Sequence, residues 1–264
     1  MNLQSTTETI IGIAQEAGEY VLAQFGVMKG GLKYDGTLVT EADGQSERMI
    51  RARLKVLFPE HTVFGEEMGY DGPEDNEWIW YLDPIDGTSN FVFGIPIWGV
   101  SIGLAHRGRP VLGVFAMPAL RETFWAWDGG GAYLNGQRLA LHQPTEMKHT
   151  DLVVVASTTM ERYDLHLPQK IRSLGCAAYA LAGLAAGSFV GLIHDNWHLH
   201  DLAASIVMCN EVGLKLTTEE GEDFVSFNGI DPKAKAPLLV GAGPAVHGTV
   251  LQGLVRKDPS RCSS

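Results

Sequence analysis

Apolar side chains recur at helical spacing between residues 5 and 25: Ile10, Ile13, Ala14, Ala17, Val21, Leu22 and Phe25. Such a stripe predicts an amphipathic helix, with Ser5, Thr6 or Thr7 available as its cap. Gly30 and Gly31 break it, and a second helix is predicted from Ala42 to Leu57, stopped by Pro59. The period then changes. Val63-Phe64 and Trp78 to Leu82 read as buried strands. Gly99 to Ala105 and Val111 to Ala116 flank a polar turn from His106 to Pro110. Thr123 to Trp127 and Ala132 to Leu139 flank Asp128-Gly129-Gly130-Gly131, and Asn135-Gly136 makes a further tight turn. Mostly antiparallel sheet is expected here.

From about residue 150 strands and helices alternate more regularly. Leu152 to Ala156, Phe189 to Ile193, Leu214 to Thr217 and Pro237 to Val240 read as strands. Ala177 to Ala186, Leu202 to Val212 and Ala245 to Val255 read as helices, the first rich in small residues and so suited to close packing. No repeat, low-complexity segment or long linker appears. The fold class is mixed α/β. Two layered halves, residues 1–145 and 146–264, are expected to pack as one rigid unit.

Composition narrows the function. The 264 residues are 45% hydrophobic and 19% charged, which suits a globular chain with a sizeable core and argues against disorder. A formal charge of −11 has the wrong sign for a non-specific grip on nucleic acid or an anionic membrane. No apolar run approaches the roughly 20 residues of a membrane span. Cys176, Cys209 and Cys262 are odd in number and widely spaced, forming neither a disulfide framework nor a metal-ligand pair. The start of the chain lacks a basic region followed by an apolar signal core, so a cytoplasmic protein is expected.

Carboxylates stand at four suggestive places: Asp43, Glu66-Glu67, Asp83 with Asp86, and Asp201. Asp83 follows the strand Trp78 to Leu82, at the end of a strand where α/β sheets commonly build sites. Two carboxylates three apart on a tight turn can converge, and converging anions need a cation or a shared proton. Hard carboxylate oxygens suit Mg²⁺ or Mn²⁺ better than Zn²⁺. Gly87-Thr88-Ser89 then offers backbone N–H groups and hydroxyls, an anion site if a helix begins there. Each segment alone has a plainer reading. Asp83 can cap a turn, Asp201 can cap the helix that follows it, Asp43 can sit in a helix first turn, and Glu66-Glu67 can be a solvated loop.

Together, Val39-Thr40-Glu41-Ala42-Asp43, Gly65-Glu66-Glu67, Asp83-Pro84-Ile85-Asp86-Gly87-Thr88-Ser89-Asn90-Phe91 and the Asp201 helix resemble the inositol monophosphatase family, in its order and near its spacings, from about residue 8 to 255. The resemblance implies a five-layer αβαβα sandwich, commonly dimeric. It implies that Glu66, Asp83 and the Ile85 carbonyl hold one Mg²⁺, that Asp83, Asp86 and Asp201 hold a second, and that Glu66 shares a third. Mn²⁺ is an alternative ion. Asp43 would orient Thr88, and Thr88 with Glu66 would position the attacking water. The N–H groups of Gly87 and Thr88 would bind phosphate. Lys33, Ala177 and His194 would lie near the substrate.

The sequence also departs from the family pattern. His200 precedes Asp201 where the family usually has tryptophan, and Ser205 ends a small-residue run where glycine is common. His194 stands where inositol-specific members place a glutamate, and Gly175-Cys176-Ala177 resembles the family's Gly-Thr-Ala segment. The metal-and-phosphate half is thus expected to be intact and the alcohol-binding half altered. His194, His198 and His200 also invite a transition-metal reading, set against surface histidines with His200 packed beside Asp201. The expected activity is hydrolysis of a small polyol or sugar phosphate. Histidinol-phosphate phosphatase, nucleotide 3′-phosphatase and fructose bisphosphatase are alternatives within the superfamily, and a catalytically weak binding protein is the alternative outside enzymes.

Overall fold

The computed structural model describes residues 1–26, 31–32, 38–141, 144–167 and 169–257. Helix α1 (Leu3–Leu22) is capped by Asn2, whose Oδ1 accepts the Ser5 N–H at 3.2 Å. The cap therefore lies before the hydroxyl residues expected to supply it. Thr6 and Thr7 sit inside the first turns and donate back to the carbonyls of Asn2 and Leu3 at 2.8 and 2.7 Å. Helix α2 (Glu41–Leu57) runs as the spacing predicts. Two short helices, α3 (Thr88–Val92) and α4 (Thr159–Arg162), follow in the chain.

The larger sheet has eight strands in the spatial order Gln137–Arg138, Gly131–Leu134, Glu122–Trp127, Arg109–Met117, Gly99–His106, Trp78–Asp86, Thr62–Gly65 and Gly69–Asp71. Neighbours are antiparallel except Trp78–Asp86 beside Thr62–Gly65, which run parallel. That junction builds the site. Gly65 pairs with Leu82, and the Glu66 N–H donates to Leu82 O at 3.1 Å, so Glu66 and Asp83 follow the last parallel pair at the same end of the two strands. The strand expected to stop at Leu82 continues to Asp86, with a register shift between Asp83 and Asp86 against Gly99–His106.

α1 and α2 bury Ile10, Ile13, Ile50 and Leu54 on one face of this sheet, against Trp80, Ile102 and Val114. Its other face carries α5 (Ala177–Ala185) and α6 (Leu199–Val212). α6 approaches the sheet at backbone distance: a Cβ added at Gly103 or Gly113 would collide with Ala203 or Ala204. The small-residue run after Asp201 is therefore a packing requirement. Under α5 lies the second sheet, in the order Lys170–Arg172, Leu152–Val155, Gly191–His194, Leu239–Ala242 and Lys215–Thr217. The first two junctions are parallel and the last two antiparallel. Alternate side chains Val153, Val155, Ile193 and Val240 face away from α5 and pack with Val250 of α7 (His247–Gln252). The layers are thus α1/α2, sheet, α5/α6, sheet and α7, the expected five-layer αβαβα sandwich.

Several expectations move in the second half, among them the strand expected from Phe189, which starts at Gly191. α6 begins at Leu199, so Asp201 is its third residue and does not cap it. The closing helix is shorter than expected, because Leu254–Arg256 leaves it to pair with Tyr163–Leu165. The last strand of the second sheet starts at Leu239, later than Pro237. Among the described residues no helix is long and apolar enough to cross a membrane.

Candidate active site

Where the parallel junction, the N-terminus of α5 and the N-terminus of α6 meet, a cavity of about 440 Å³ opens. Glu66, Asp83, Ile85, Asp86 and Asp201 line it, as do Gly87 and Thr88. Ala177 and His194 line its other side. Segments separated by more than a hundred residues in the chain thus deliver the expected residues to one space. Asp43 is fully buried and is not among the lining residues. Lys33 lies outside the described residues.

Asp83 and Asp86 are shaped by the turn between them. Asp83 Oδ1 accepts the Ile85 N–H at 2.9 Å. Gly87 has φ +90°, and a Cβ there would lie 2.9 Å from the Ile97 carbonyl oxygen. Both the backbone conformation and the close approach demand glycine. The Thr88 hydroxyl donates to the Ile85 carbonyl at 3.0 Å. Asp86 reaches across to the second half of the chain, accepting the N–H of Ala177 at 3.1 Å and of Ala178 at 2.7 Å, and the Cys176 thiol at 2.8 Å. It therefore serves as an N-terminal acceptor for α5 from outside that helix.

The electrostatics are those of crowded anions. Burial, then the charges of Glu66, Asp86 and Asp201, push the Asp83 carboxyl well above the usual carboxylate range. Burial and Asp201 push Asp86 up to about 7, against the opposing pull of Cys176, Ala178 and Ala177. Burial also acts upward on Asp201, but His200 and the His198 N–H outweigh it and hold Asp201 below its ordinary value. His200 Nε2 lies 3.0 Å from Asp201 Oδ1, and the His198 N–H donates to Asp201 Oδ2 at 2.8 Å. His200 is buried, against Phe64, and His194 and His198 are half-buried, so none of the three is an ordinary surface histidine. His198 and His200 are the N-cap and second residue of α6.

Asp43 and Asp201 occupy the same local position, third in a helix, with a carboxylate oxygen accepting the cap residue's N–H. For Asp43 the partner is Thr40, whose N–H and hydroxyl donate to Oδ2 at 2.7 and 2.6 Å.

Several supporting residues escape sequence reasoning. Glu47 is fully buried, paired with Arg51 at 2.7 Å, and accepts the N–H groups of Glu67 and Met68 at 2.8 and 3.2 Å. It moulds the loop that carries Glu66. Gly65 is required beside it, since a Cβ there would collide with the Glu47 carboxylate. Asn90 bridges the carbonyls of Ile97 and Leu174 at 2.7 and 2.8 Å. Asp195 binds the hydroxyls of Thr158 and Thr159 and the Arg162 guanidinium, fixing the wall that carries Thr158. The only sequence signal for Glu47 was its i,i+4 relation to Arg51, which looks the same on a solvated helix face.

The sequence model of the inositol monophosphatase family matches residues 2–255. A fructose-1,6-bisphosphatase/inositol-1-monophosphatase of Aquifex aeolicus is 31% identical over 265 aligned positions, covering 95% of this chain and 96% of the relative. The solved inositol monophosphatase of Thermotoga maritima superposes with a TM-score of 0.83 at 26% identity, covering 94% of this chain and 96% of that one. A solved inositol monophosphatase/NADP phosphatase complexed with Mg²⁺ and phosphate shares the fold with a TM-score of 0.82 at 24% identity, covering 98% and 100%. With its motifs in order along almost the whole length and its fold matched over the same span, the chain belongs to the inositol monophosphatase family.

Proposed function

We propose that this chain hydrolyses a small polyol or sugar phosphate by cation-dependent attack of water. That it is a phosphoric monoester hydrolase follows from its family. The observation that carries it is the convergence of Glu66, Asp83, Asp86 and Asp201 on one cavity that also exposes Gly87 and Thr88. Carboxylates converging in this way, Asp83 raised well above its ordinary value by burial and then by its neighbours, are a donor set that divalent cations stabilise. All the donors are hard oxygens, which fits Mg²⁺, with Mn²⁺ acceptable. The bound ions would polarise the phosphoryl group and make water a better nucleophile.

The chain's own residues do the rest. Glu66, Asp83 and the Ile85 carbonyl would hold one ion, and Asp83, Asp86 and Asp201 a second, with Glu66 near a third. A carbonyl has two lone pairs, so the Thr88 bond to Ile85 O is compatible with an ion contact. Thr88 and Glu66 would orient the attacking water; the Thr88 hydroxyl donates to the Ile85 carbonyl here, so Asp43 would orient it only once that bond is exchanged. The amides of Gly87 and Thr88 hold the phosphate oxygens. Ala177, His194 and, from outside the described residues, Lys33 would face the alcohol. The halves 1–145 and 146–264 work as one unit, supported by bonds that cross between them from Asp86, Asn90 and Glu211. A cytoplasmic homodimer completes the reading; gel filtration of the purified chain tests the dimer.

The test is phosphate release from inositol 1-phosphate, histidinol phosphate, fructose 1,6-bisphosphate and a 3′-phosphonucleotide, with and without Mg²⁺. Mg²⁺-dependent release from at least one monoester, abolished by Asp83→Asn, is the expected result. No release from any of them with any divalent cation overturns the proposal.

A further inference from the structure

The two ends of the cavity offer different atoms. Around Glu66, Asp83 and Ile85 the candidate donors are oxygens. Around Asp201 nitrogen enters. One ligand atom from each of His198, His200 and Asp201 lies within 4.8 Å of the other two, and all three residues line the cavity. His200 Nε2 is 3.0 Å from Asp201 Oδ1, and His198 Nδ1 is 3.9 Å from Asp201 Oδ2. The two imidazoles stack, with centroids 5.1 Å apart and planes 6° from parallel, so the start of α6 presents them as a pair.

A second feature points to a ligand in the same cavity. His194 ends the strand Gly191–His194 and lines this cavity too, and its Nδ1 is buried without a hydrogen-bond partner. A buried ring nitrogen left unsatisfied costs free energy, and such a group calls for a partner that the protein itself does not supply.

We propose that His198, His200 and Asp201 form a mixed nitrogen–oxygen site that takes Zn²⁺ in preference to Mg²⁺. Imidazole suits borderline first-row cations, and their affinity for such a set rises from Mn²⁺ through Co²⁺. Mg²⁺ prefers an octahedral oxygen shell and gives up its waters reluctantly, so nitrogen donors do not favour it. The all-oxygen donors around Asp83 keep Mg²⁺, and the cavity takes unlike ions at its two ends, with Asp201 between them. This inference rests on the cation-dependent reading above in one respect, the sharing of Asp201.

The experiment titrates the metal-free full chain with Zn²⁺ by calorimetry in excess Mg²⁺, and with Co²⁺ while its visible absorption is recorded. One tight Zn²⁺ per chain that Mg²⁺ does not displace is expected, with a Co²⁺ spectrum of nitrogen ligation. His198→Ala and His200→Gln should each weaken Zn²⁺ by more than the roughly 10-fold that loss of an outer partner costs. His200 is buried, so circular dichroism accompanies its variant; the half-exposed His198 carries the test if the His200 variant does not fold. Unchanged Zn²⁺ affinity in the folded variants, or displacement by comparable Mg²⁺, overturns the inference. Phosphate release is measured on the same wild-type sample. Release with Mg²⁺ but no histidine-dependent Zn²⁺ binding sinks the zinc site alone. Histidine-dependent Zn²⁺ binding without release in any cation sinks the phosphatase reading alone.

Discussion

The thiol of Cys176 donates to Asp86 Oδ2 at 2.8 Å, joining residues 90 positions apart across the seam between the two halves. The contact ties a proposed ion ligand to the N-terminus of α5, where Ala177 and Ala178 bind the same carboxylate. Groups that orient a ligand from behind typically matter 10–100-fold in metal affinity. Cys176→Ala should therefore raise the Mg²⁺ concentration needed for half-maximal activity by about 10-fold, by the same scale. Cys176→Ser, which keeps a donor, should restore most of it. A Mg²⁺ titration of all three proteins checks this; identical curves for wild type and Cys176→Ala would show that the backbone amides alone hold Asp86.

The raised carboxylates make metal-free stability depend on pH in an unusual direction. An unfolded aspartate titrates near 3.9. Asp86 in the folded chain is pushed up to about 7, and Asp83 is raised as well. Between those values the folded state holds protons that the unfolded state has released. Stability of the metal-free chain should then fall as pH rises from about 4 to about 7, by on the order of a few kcal/mol. Mg²⁺ should remove most of this slope, and Asp83→Asn should raise the metal-free melting temperature at neutral pH while abolishing activity. Thermal melts across pH, with Mg²⁺ and with a chelator, read the effect. A metal-free protein most stable at neutral pH would contradict it.

Thr88→Ala should lower kcat by roughly 10²-fold, the scale of a positioned proton-handling group. Apparent Mg²⁺ affinity should move less, because the hydroxyl's contact is to the Ile85 carbonyl, which keeps a second lone pair for the ion. Steady-state rates at saturating and limiting Mg²⁺ separate the two. Loss of Mg²⁺ affinity with normal kcat would make Thr88 a support for the Ile85 turn.

Glu47 tests the loop behind Glu66. Removing one member of a buried ion pair leaves its partner uncompensated, at a cost of roughly 3–5 kcal/mol. Glu47→Ala strands Arg51 and also leaves the Glu67 and Met68 N–H groups without their acceptor. We expect chemical denaturation to show a loss of about 3 kcal/mol, by that same precedent, together with a weaker response of the melting temperature to Mg²⁺. A large stability loss with an unchanged Mg²⁺ response would confine Glu47 to folding.

The sequence made different parts of this architecture legible for different physical reasons. α1 and α2 follow from a 3.6-residue apolar period, and the hairpin from Gly99 to Ala116 from turn chemistry, both local signals. The convergence of Glu66, Asp83 and Asp201 was not local: it depends on the parallel register of Gly65 with Leu82 and on α6 lying against Gly103 and Gly113. Only the resemblance carried that information forward. Glu47 and Asp195 carried no sign of their roles, and Cys176 and Asn90 stood in family-like segments without their contacts being legible, because the partners are main-chain groups or distant side chains. The plainer reading of Asp201 as a helix cap fails because it is the third helical residue, its carboxylate accepting the cap residue's own N–H.

His194 is the residue that tests specificity. It lines the cavity at the end of Gly191–His194, with Nδ1 buried and unpartnered. Burial lowers its pKa, and the charges of Asp201 and Asp195 only partly oppose that. At neutral pH the ring is therefore neutral, with one donor and one acceptor, where a glutamate would offer two acceptors to ring hydroxyls. We expect weaker discrimination in favour of inositol phosphate than a dedicated inositol enzyme shows. Contacts to metal and phosphate are common to every substrate, whereas a contact to the alcohol is not. His194→Ala should thus change relative kcat/KM across the substrate panel more than it changes hydrolysis of a generic aryl phosphate. His194→Glu should shift the panel toward polyols rich in hydroxyl donors. If both variants scale all substrates equally, the alcohol does not reach position 194 and is recognised elsewhere along the wall that carries Thr158 and Ala177.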